Sequence, residues 1–347
     1  MTKTTTACVM LPAERLDLFN AERLARRPEL DLHFIPYSDP PEVRQARKLR
    51  QLTPALAARC PVLSPRDEAA LARAEIAIAR DLPLDLGRRA PRLRWVQAVG
   101  AGIEQLDPPG LAELGITLTN ASGVAAAPIA EFVMAQLLAI WKELRLIDQQ
   151  QRDKVWRRTQ TALVAGKTLG IVGLGAIGRA TATRARAFQM HVLGTARRAT
   201  AGQQDPDVDE LFPLAELDRM LTRCDAVLAS MPATPDTAGY FDAARFAAFK
   251  PGAIFCNVSR GAIVDEPALL AALDAGRPAR AVLDVTAVEP NPPESPLWHH
   301  PSVHLSPHSS TSMEGYGERL VELFLDNLAR WQAGEPLRNV VDPGLGY

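Results

Sequence analysis

An apolar strand, a glycine-rich turn and a helical pattern follow one another near the middle of the chain. The turn has the spacing GxGxxG, in which the first glycine permits a tight bend and the second lets the backbone approach a pyrophosphate. The third lets the helix pack closely on the strand, and the N-terminus of that helix faces the anion. In this context the motif predicts a dinucleotide-binding site. Its predicted contact residues are Gly173, Gly175, Ala176, Ile177 and Gly178.

Apolar runs of strand length alternate with helical patterns along most of the chain, which predicts parallel sheets. At 347 residues the chain has room for two domains. The first series of predicted strands is Ala7–Leu11, Leu32–Ile35, Ile76–Ala79 and Leu93–Val99, with helices at Arg15–Arg26, Arg44–Ala58 and Asp67–Arg73. The second series is Thr168–Gly173, His191–Thr195, Asp225–Ser230, Ala253–Val258, Ala281–Val285 and Val303–Ser306. We therefore expect an α/β protein.

Two more helices and one basic stretch complete the predicted elements. Apolar residues recur at helical spacing from Pro128 to Ile147, which predicts one long helix. This helix either links two domains, packs against a second subunit or belongs to a core. A last helix is expected over Met313–Trp331, and the basic stretch Arg44–Arg50 is interpreted as a solvated helix face.

The bulk properties of the chain exclude several classes of function. A net charge of −1 gives no electrostatic case for binding nucleic acid or an anionic membrane. The four cysteines are scattered, so we expect neither a disulfide framework nor a metal site. The first residues lack the pattern of a signal peptide, and no stretch reaches the about 20 apolar residues of a membrane span. We expect a soluble, cytoplasmic protein.

Three polar segments follow predicted strands of the second series, where open α/β sheets bind ligands, and they contain Arg260, Glu289 and His308. Reduction of a 2-keto acid needs a cation to hold the carboxylate and polarise the carbonyl, which the planar fork of an arginine can do. It also needs an acid to protonate the alkoxide, and histidine suits that task. A carboxylate beside the histidine would keep it protonated and oriented. Each residue alone could instead be a surface residue or a helix cap.

Together with their neighbours, these segments resemble the D-isomer-specific 2-hydroxyacid dehydrogenases over about Trp95 to Ser309. The segments that carry the resemblance are the glycine-rich turn, Met231–Pro235, Asn257–Gly261, Val264–Glu266, Asp284-Val285, Glu289-Pro290, Pro296–Trp298 and Pro307-His308. The sequence departs from the family at Thr286, where a phenylalanine is common. A further departure is that the usual acidic residue after the second cofactor strand is missing.

The resemblance implies reduction of 2-keto acids to D-2-hydroxy acids, with Arg260 binding the substrate, Glu289 as the partner and His308 as the acid/base. It implies two Rossmann-like or flavodoxin-like parallel-sheet domains separated by a cleft: a substrate domain, residues 1–119 and 310–347, and a cofactor domain, residues 120–309. It also implies a homodimer. The implied substrate loop is Val99, Gly100, Ala101 and Gly102. The further implied cofactor contacts are Met231, Pro232, Thr237, Val258, Ser259, Arg260 and Asp284.

The residues after the second cofactor strand bear on the choice of coenzyme. An NAD enzyme usually has an acidic residue about 20 positions after the glycine-rich turn, which binds the ribose 2′-hydroxyl. Here no acidic residue occurs between Gly173 and Asp205, and Arg197 and Arg198 follow the strand. Two arginines would attract a 2′-phosphate, so we predict that NADP is preferred and NAD is possible. Alternatively, both arginines only cover a surface loop.

Several relatives of the same fold are competing interpretations. Formate dehydrogenases pair their histidine with glutamine, so Glu289 argues against that activity. A longer phosphoglycerate dehydrogenase is disfavoured, because no regulatory domain is expected after residue 347. The chain looks most like the shorter glyoxylate/hydroxypyruvate reductases. A dinucleotide-sensing corepressor of the C-terminal binding protein type remains the alternative from a different functional class.

Overall fold

The computed structural model describes residues 4–18, 24, 27–200 and 202–346. The chain forms two compact units, Met1–Val124 with Glu314–Tyr347, and Ala125–Met313. The boundaries thus lie a few residues beyond the expected positions after 119 and 309. The backbone N–H of Ala121 donates to the Gly100 carbonyl of the first unit, at 3.0 Å. That of Ser310 donates to Asp284 of the second unit. These bonds tie each junction segment to the unit that precedes it.

The first unit contains one sheet of five parallel strands in the order β2-β1-β3-β4-β5. The strands are β1 (Thr5–Leu11), β2 (Leu30–Pro36), β3 (Ile76–Ala79), β4 (Trp95–Ala98) and β5 (Thr117–Thr119). All residues of β3 and β4 are buried, as expected for strands with helices on both faces. The order reverses direction between β1 and β3, which makes the carboxyl end of these two strands the place where such sheets bind ligands.

Short helices connect these strands, and a long C-terminal helix packs on the sheet. The connecting helices are α1 (Pro41–Lys48), α2 (Pro54–Ala57), α3 (Pro65–Leu71), α4 (Leu86–Arg89) and α5 (Pro108–Glu113), with a 3-10 helix at Ala13–Leu18. The C-terminal helix spans Tyr316–Ala333, and its Phe324 stacks on Trp95 of β4 with ring centroids 5.3 Å apart. Part of the helix predicted at Arg15–Arg26 lies outside the described residues.

Two predictions about residues 44–58 are wrong. The predicted single helix is two helices, because Arg50 has a left-handed φ of 56° and the second helix begins at Pro54. The basic stretch is not simply a solvated face either. Arg44 and Arg47 are mostly buried, and they pair with Asp81 and Asp39 at 2.7 and 2.9 Å.

The second unit contains a sheet of seven parallel strands in the order β12-β11-β10-β9-β6-β7-β8. Its strands are β6 (Thr168–Val172), β7 (His191–Ala196), β8 (Glu210–Pro213), β9 (Ala226–Ala229), β10 (Ile254–Asn257), β11 (Arg280–Leu283) and β12 (Val303–Leu305). Alternate residues of β9 belong to two different hydrophobic clusters, so both faces of the sheet are covered. The first six strands have the order of the dinucleotide-binding fold, which reverses direction between β6 and β9.

The long helix predicted over Pro128–Ile147 is also two helices. The helices of this unit are α6 (Ala126–Trp141), α7 (Leu144–Arg152), α8 (Ala176–Ala187), α9 (Leu217–Leu221), α10 (Ala243–Ala247) and α11 (Glu266–Asp274). Ala162 explains the break: its N–H donates to the Trp141 carbonyl and its carbonyl accepts from Lys142 Nζ, which ends α6. Glu143 then takes a left-handed φ of 51° before α7 begins.

The sequence analysis missed two short strands, β5 and β8, which are three and four residues long and lie at sheet edges. Over the described parts of the chain, none of the helices has the length and apolar character needed to cross a bilayer.

Candidate active site

The glycine-rich turn joins β6 to α8 at the point where the order of the second sheet reverses. Gly173 has a φ of 105°, and a Cβ there would lie 2.9 Å from the Met231 nitrogen in the loop after β9. Ser230 Oγ donates to the Gly173 carbonyl at 2.8 Å. A Cβ on Gly178 would overlap that same carbonyl, whereas a Cβ on Gly175 would point into open space. The first and third glycines therefore serve packing, and the second leaves room in front of the helix.

This arrangement fits the pyrophosphate of a dinucleotide. Gly175 is the N-cap of α8, and the first N–H groups of a helix have no partner inside it. Such groups bind anions together with the helix dipole. Ala176 and Ile177 are the first residues of α8, so their N–H groups belong to this set. The turn can therefore hold a diphosphate group without any charged side chain.

The two arginines predicted to select the coenzyme lie next to this turn. Arg197 and Arg198 are exposed and follow β7, the strand that pairs with β6. The nearest following acid, Asp205, is in an ion pair with Arg179 of α8 at 2.8 Å. Two positively charged side chains therefore lie at the carboxyl end of β7.

The remaining predicted cofactor residues lie in loops after β9 and β10. Met231 is buried, and the Thr237 hydroxyl accepts from the Thr234 N–H at 2.7 Å and donates to the Pro232 carbonyl at 2.9 Å. Val258 and Ser259 are buried directly after β10. These residues shape loops along the carboxyl edge of the sheet.

Arg260 is held in a turn that the sequence analysis did not explain. The buried amide of Asn257 spans this turn: its Nδ2 donates to the Arg260 carbonyl at 2.9 Å, and its Oδ1 accepts from the Ser259 N–H at 3.0 Å. Arg260 Nη1 donates to the Ser259 carbonyl at 2.8 Å. A polar side chain at the end of a buried strand is the signal that could have identified Asn257.

The turn of Arg260 packs directly on the turn that carries Glu289. A Cβ on Gly261 would overlap the backbone of Thr286, so only glycine allows this approach. The Thr286 N–H donates to Glu289 Oε1 at 3.3 Å, and its hydroxyl donates to the Val288 carbonyl at 2.8 Å. Thr286, the departure noted in the sequence, therefore helps to hold the predicted partner of the histidine.

His308 and Glu289 are in direct contact. His308 Nδ1 lies 2.9 Å from Glu289 Oε2, and both side chains are partly exposed. Arg260, Glu289 and His308 follow β10, β11 and β12, three neighbouring strands of the sheet. Their common edge is also the edge of the glycine-rich turn, because all strands are parallel.

The turn of His308 depends on Asp284, which is buried at the end of β11. The Asp284 carboxylate accepts from Ser306 Oγ at 2.6 Å, from the Ser309 N–H at 2.8 Å, and from both the N–H and the hydroxyl of Ser310. Its carbonyl accepts from the His308 N–H at 2.8 Å. Asp284 was predicted only as a cofactor contact, and its contacts within the protein position the histidine. The serines near His308 in the sequence could have indicated that a buried carboxylate organises this turn.

The predicted substrate loop, Val99–Gly102, follows β4 in the first unit. Its carbonyls accept from Tyr316 Oη at 2.7 Å, from the Ala121 N–H at 3.0 Å and from Asn120 Nδ2 at 3.2 Å. Within the described residues, the N–H groups of Gly100, Ala101 and Gly102 donate to no protein acceptor. These N–H groups are therefore available to donate hydrogen bonds to a carboxylate.

A metal centre is not formed by the described residues, among which no three His, Cys, Asp or Glu side chains lie together. The four cysteines are free. His304, one of the five histidines without an assigned role, is buried in β12, and burial lowers its pKa to about 4, with Arg145 and Arg280 acting in the same direction.

Comparison with known proteins agrees with this geometry. The model of the D-isomer specific 2-hydroxyacid dehydrogenase NAD binding domain matches residues 134–310, over half of the 347 residues. Glyoxylate/hydroxypyruvate reductase B of Citrobacter koseri is 35% identical over 74% of this chain and 80% of its own length. The D-3-phosphoglycerate dehydrogenase of Mycobacterium tuberculosis is 33% identical, but the chain spans only 48% of its length.

Solved structures match over nearly the whole chain. An NADPH-dependent glyoxylate/hydroxypyruvate reductase of Sinorhizobium meliloti, in complex with NADP and sulfate, has a TM-score of 0.77 and 28% identity, over 99% of this chain and 100% of its own. A D-isomer specific 2-hydroxyacid dehydrogenase of Xanthobacter autotrophicus, in complex with NADPH and MES, has a TM-score of 0.80, 28% identity and the same coverage. The chain belongs to the D-isomer-specific 2-hydroxyacid dehydrogenase family.

Proposed function

We propose that this protein reduces 2-keto acids to D-2-hydroxy acids with a nicotinamide coenzyme. The observation that carries the proposal is the 2.9 Å contact between His308 Nδ1 and Glu289 Oε2, on turns next to the one that holds Arg260. Family membership and the names of the relatives support the same reaction class. The glycine-rich turn, with its open space before α8, would hold the coenzyme.

Each group has a distinct task in the proposed reaction. The bound coenzyme supplies the hydride. Arg260 binds the substrate and polarises its carbonyl, since a guanidinium offers paired donors to oxygen. Nδ1 of His308 is occupied by Glu289, which leaves Nε2 to donate a proton to the new hydroxyl oxygen. Glu289 holds and orients the imidazole through Nδ1. The N–H groups of Gly100, Ala101 and Gly102 bind the substrate carboxylate.

We also propose that NADPH is the preferred coenzyme and that NADH is used less well. Arg197 and Arg198 are exposed at the carboxyl end of β7, where an NAD enzyme usually has an acid. The two solved structures described above contain NADP or NADPH, which supports the same choice.

A homodimer is the third part of the proposal. Apolar side chains of α7 and of the segment after it are exposed, and Trp156 is fully so. This surface, residues 144–163, contains Leu144, Leu146, Ile147, Val155, Trp156 and Leu163. Exposed apolar patches of this kind mark protein interfaces, and a second copy of the chain is the occupant that the family resemblance implies.

The decisive experiment is a screen of 2-keto acids with both coenzymes. Glyoxylate, hydroxypyruvate, pyruvate, and branched and aromatic 2-keto acids are each mixed with NADPH or NADH, and the loss of the reduced coenzyme is followed. We expect reduction of at least one acid, and chiral chromatography should show a D product. Binding of NADPH without reduction of any acid would favour a dinucleotide-sensing protein instead, and an L product would contradict the stereochemistry.

A further inference from the structure

The segment between β7 and β8 carries acidic residues close behind the two coenzyme arginines, Arg197 and Arg198. Asp205, Asp207 and Asp209 occupy alternate positions of this segment. A phosphate monoester carries about two negative charges at neutral pH, so nearby carboxylates repel it. They would also compete with it for the coenzyme arginines. Selection of NADP by these arginines therefore requires that the acids be held elsewhere.

Arg179 of α8 binds two of these carboxylates. Its Nη1 and Nη2 donate to Asp205 Oδ1 and Oδ2 at 2.9 and 2.8 Å, which is the paired geometry of a strong ion pair. Nη1 also donates to Asp207, whose N–H donates to Asp205 Oδ1 at 3.0 Å. The bonds from Arg179 and from this N–H lower the pKa of Asp205, so its carboxylate is charged at neutral pH. These three residues form the Arg179 cluster.

The Arg179 cluster lies at the end of α8 that faces the proposed coenzyme site. Arg179 is the fourth residue of α8, about 4.5 Å along the helix axis from Ala176. The helix begins at the glycine-rich turn, on the carboxyl edge of the sheet, and the coenzyme arginines follow β7 at that same edge. The carboxylates that Arg179 holds are therefore on the side of the sheet where a 2′-phosphate would bind.

A second arginine of α8 anchors the same segment farther from the coenzyme site. Arg186 follows Arg179 by seven positions, about two helical turns, and so lies on the same face of the helix. Its Nη1 donates to the Pro206 carbonyl at 2.7 Å, and its Nη2 donates to Asp209 Oδ1 at 3.1 Å. Both arginines tie the segment to α8, but Arg179 alone of the two is near the start of the helix.

We propose that Arg179 supports the choice of coenzyme as a positioning residue, by keeping Asp205 and Asp207 away from the coenzyme arginines. Without Arg179, the two carboxylates would pair with these arginines or repel the 2′-phosphate. NADPH would then bind less tightly, whereas NADH has a hydroxyl at this position and would be little affected. This inference rests on the proposed preference for NADPH.

The test measures the dissociation constants of NADPH and NADH by fluorescence titration of the protein. We expect Arg179→Gln to weaken the binding of NADPH by about tenfold, the size expected of two partly exposed charges, and to leave that of NADH within about twofold of wild type. The triple variant Arg179→Gln/Asp205→Asn/Asp207→Asn should regain the affinity for NADPH, because the opposing charges are gone. Two further substitutions would not repair a merely structural defect.

The matched control is Arg186→Gln, which removes the other anchor of the segment and should leave both constants unchanged. Thermal unfolding checks that each variant is folded. Equal weakening of both coenzymes in Arg179→Gln, or a triple variant that binds NADPH as poorly as Arg179→Gln, would overturn the inference. An unchanged ratio of the two constants in Arg179→Gln, with a wild type that prefers NADPH, would overturn it alone. A wild type without that preference would overturn the proposed coenzyme as well.

Discussion

His308 has a left-handed backbone, with a φ of 51°, that few non-glycine residues adopt. Its N–H donates to the Asp284 carbonyl at 2.8 Å, and the Asp284 carboxylate anchors the residues that follow. The surroundings therefore define the position of the imidazole before any substrate binds. This is the arrangement expected of a group that must meet a substrate oxygen in a fixed direction.

Replacing His308 by glutamine tests its role as the acid. We expect His308→Gln to bind NADPH as wild type does, measured by fluorescence titration, and to lose turnover by about 10²- to 10⁴-fold, the usual size of general acid catalysis. His299→Gln is the control, because His299 is exposed and close in sequence. A kcat equal to that of wild type in the His308 variant would show that His308 is not the general acid.

Arg197 and Arg198 carry the prediction about the coenzyme. Two charge-assisted contacts with a 2′-phosphate, discounted for solvent exposure, correspond to about 10²-fold selectivity. The double variant Arg197→Ala/Arg198→Ala should therefore lose most of the preference for NADPH, measured as the ratio of kcat/KM values for NADPH and NADH. The control is the double variant Arg219→Ala/Arg223→Ala, which removes two other exposed arginines of the same unit and should keep the preference for NADPH. A wild type that prefers NADH would contradict the assignment.

At the scale of elements, the sequence predicted the strand ends better than the turns between them. Polar residues after apolar runs made Arg260, Glu289 and His308 candidates for the site, because the period of a buried strand and the place where it stops are local properties. The contact of Gly261 with Thr286 joins turns that are far apart in sequence. Local sequence patterns do not predict such a contact. For the same reason the segment at Ala162, which ends α6, could not be predicted from the helical spacing of residues 128–147.

The start of the C-terminal helix contacts the predicted substrate loop, Val99–Gly102. Tyr316 Oη donates to the Val99 carbonyl at 2.7 Å, and burial raises the pKa of Tyr316. Tyr316→Phe removes this donor and leaves a carbonyl without its partner, at a cost of about 1 kcal/mol. We expect the KM for the 2-keto acid to rise about fivefold while kcat and the affinity for NADPH stay close to wild type.

The control for this effect is Tyr240→Phe, which deletes a hydroxyl in the second unit and should leave KM for the 2-keto acid unchanged. An unchanged KM in Tyr316→Phe would show that the bond does not position the loop. A fall in kcat alone would place Tyr316 in a different role.

At the scale of the whole molecule, the chain consists of two parallel sheets of different order. The alternation of strands and helices predicted both sheets, since it is repeated along the chain. The edge strands β5 and β8 were missed because they are short and contain polar residues. The surface of residues 144–163 could not be recognised in the sequence for another reason. Leu144 and Ile147 continue the helical spacing of residues 128–147, as core residues would, and only the fold shows that they are exposed.

That surface gives a prediction about assembly. We expect a dimer in solution at micromolar concentration, and the double variant Trp156→Ser/Leu163→Ser should weaken it by at least about 30-fold, since buried aromatic anchors contribute about 2 kcal/mol or more to interfaces. Sedimentation over a range of concentrations measures the dissociation constant. Val62→Ser is the control: Val62 is 94% exposed, like Trp156 and Leu163 at 104% and 73%, but belongs to the first unit. A monomeric wild type, or a double variant that dimerises as tightly as wild type, would show that the surface does not bind a second copy.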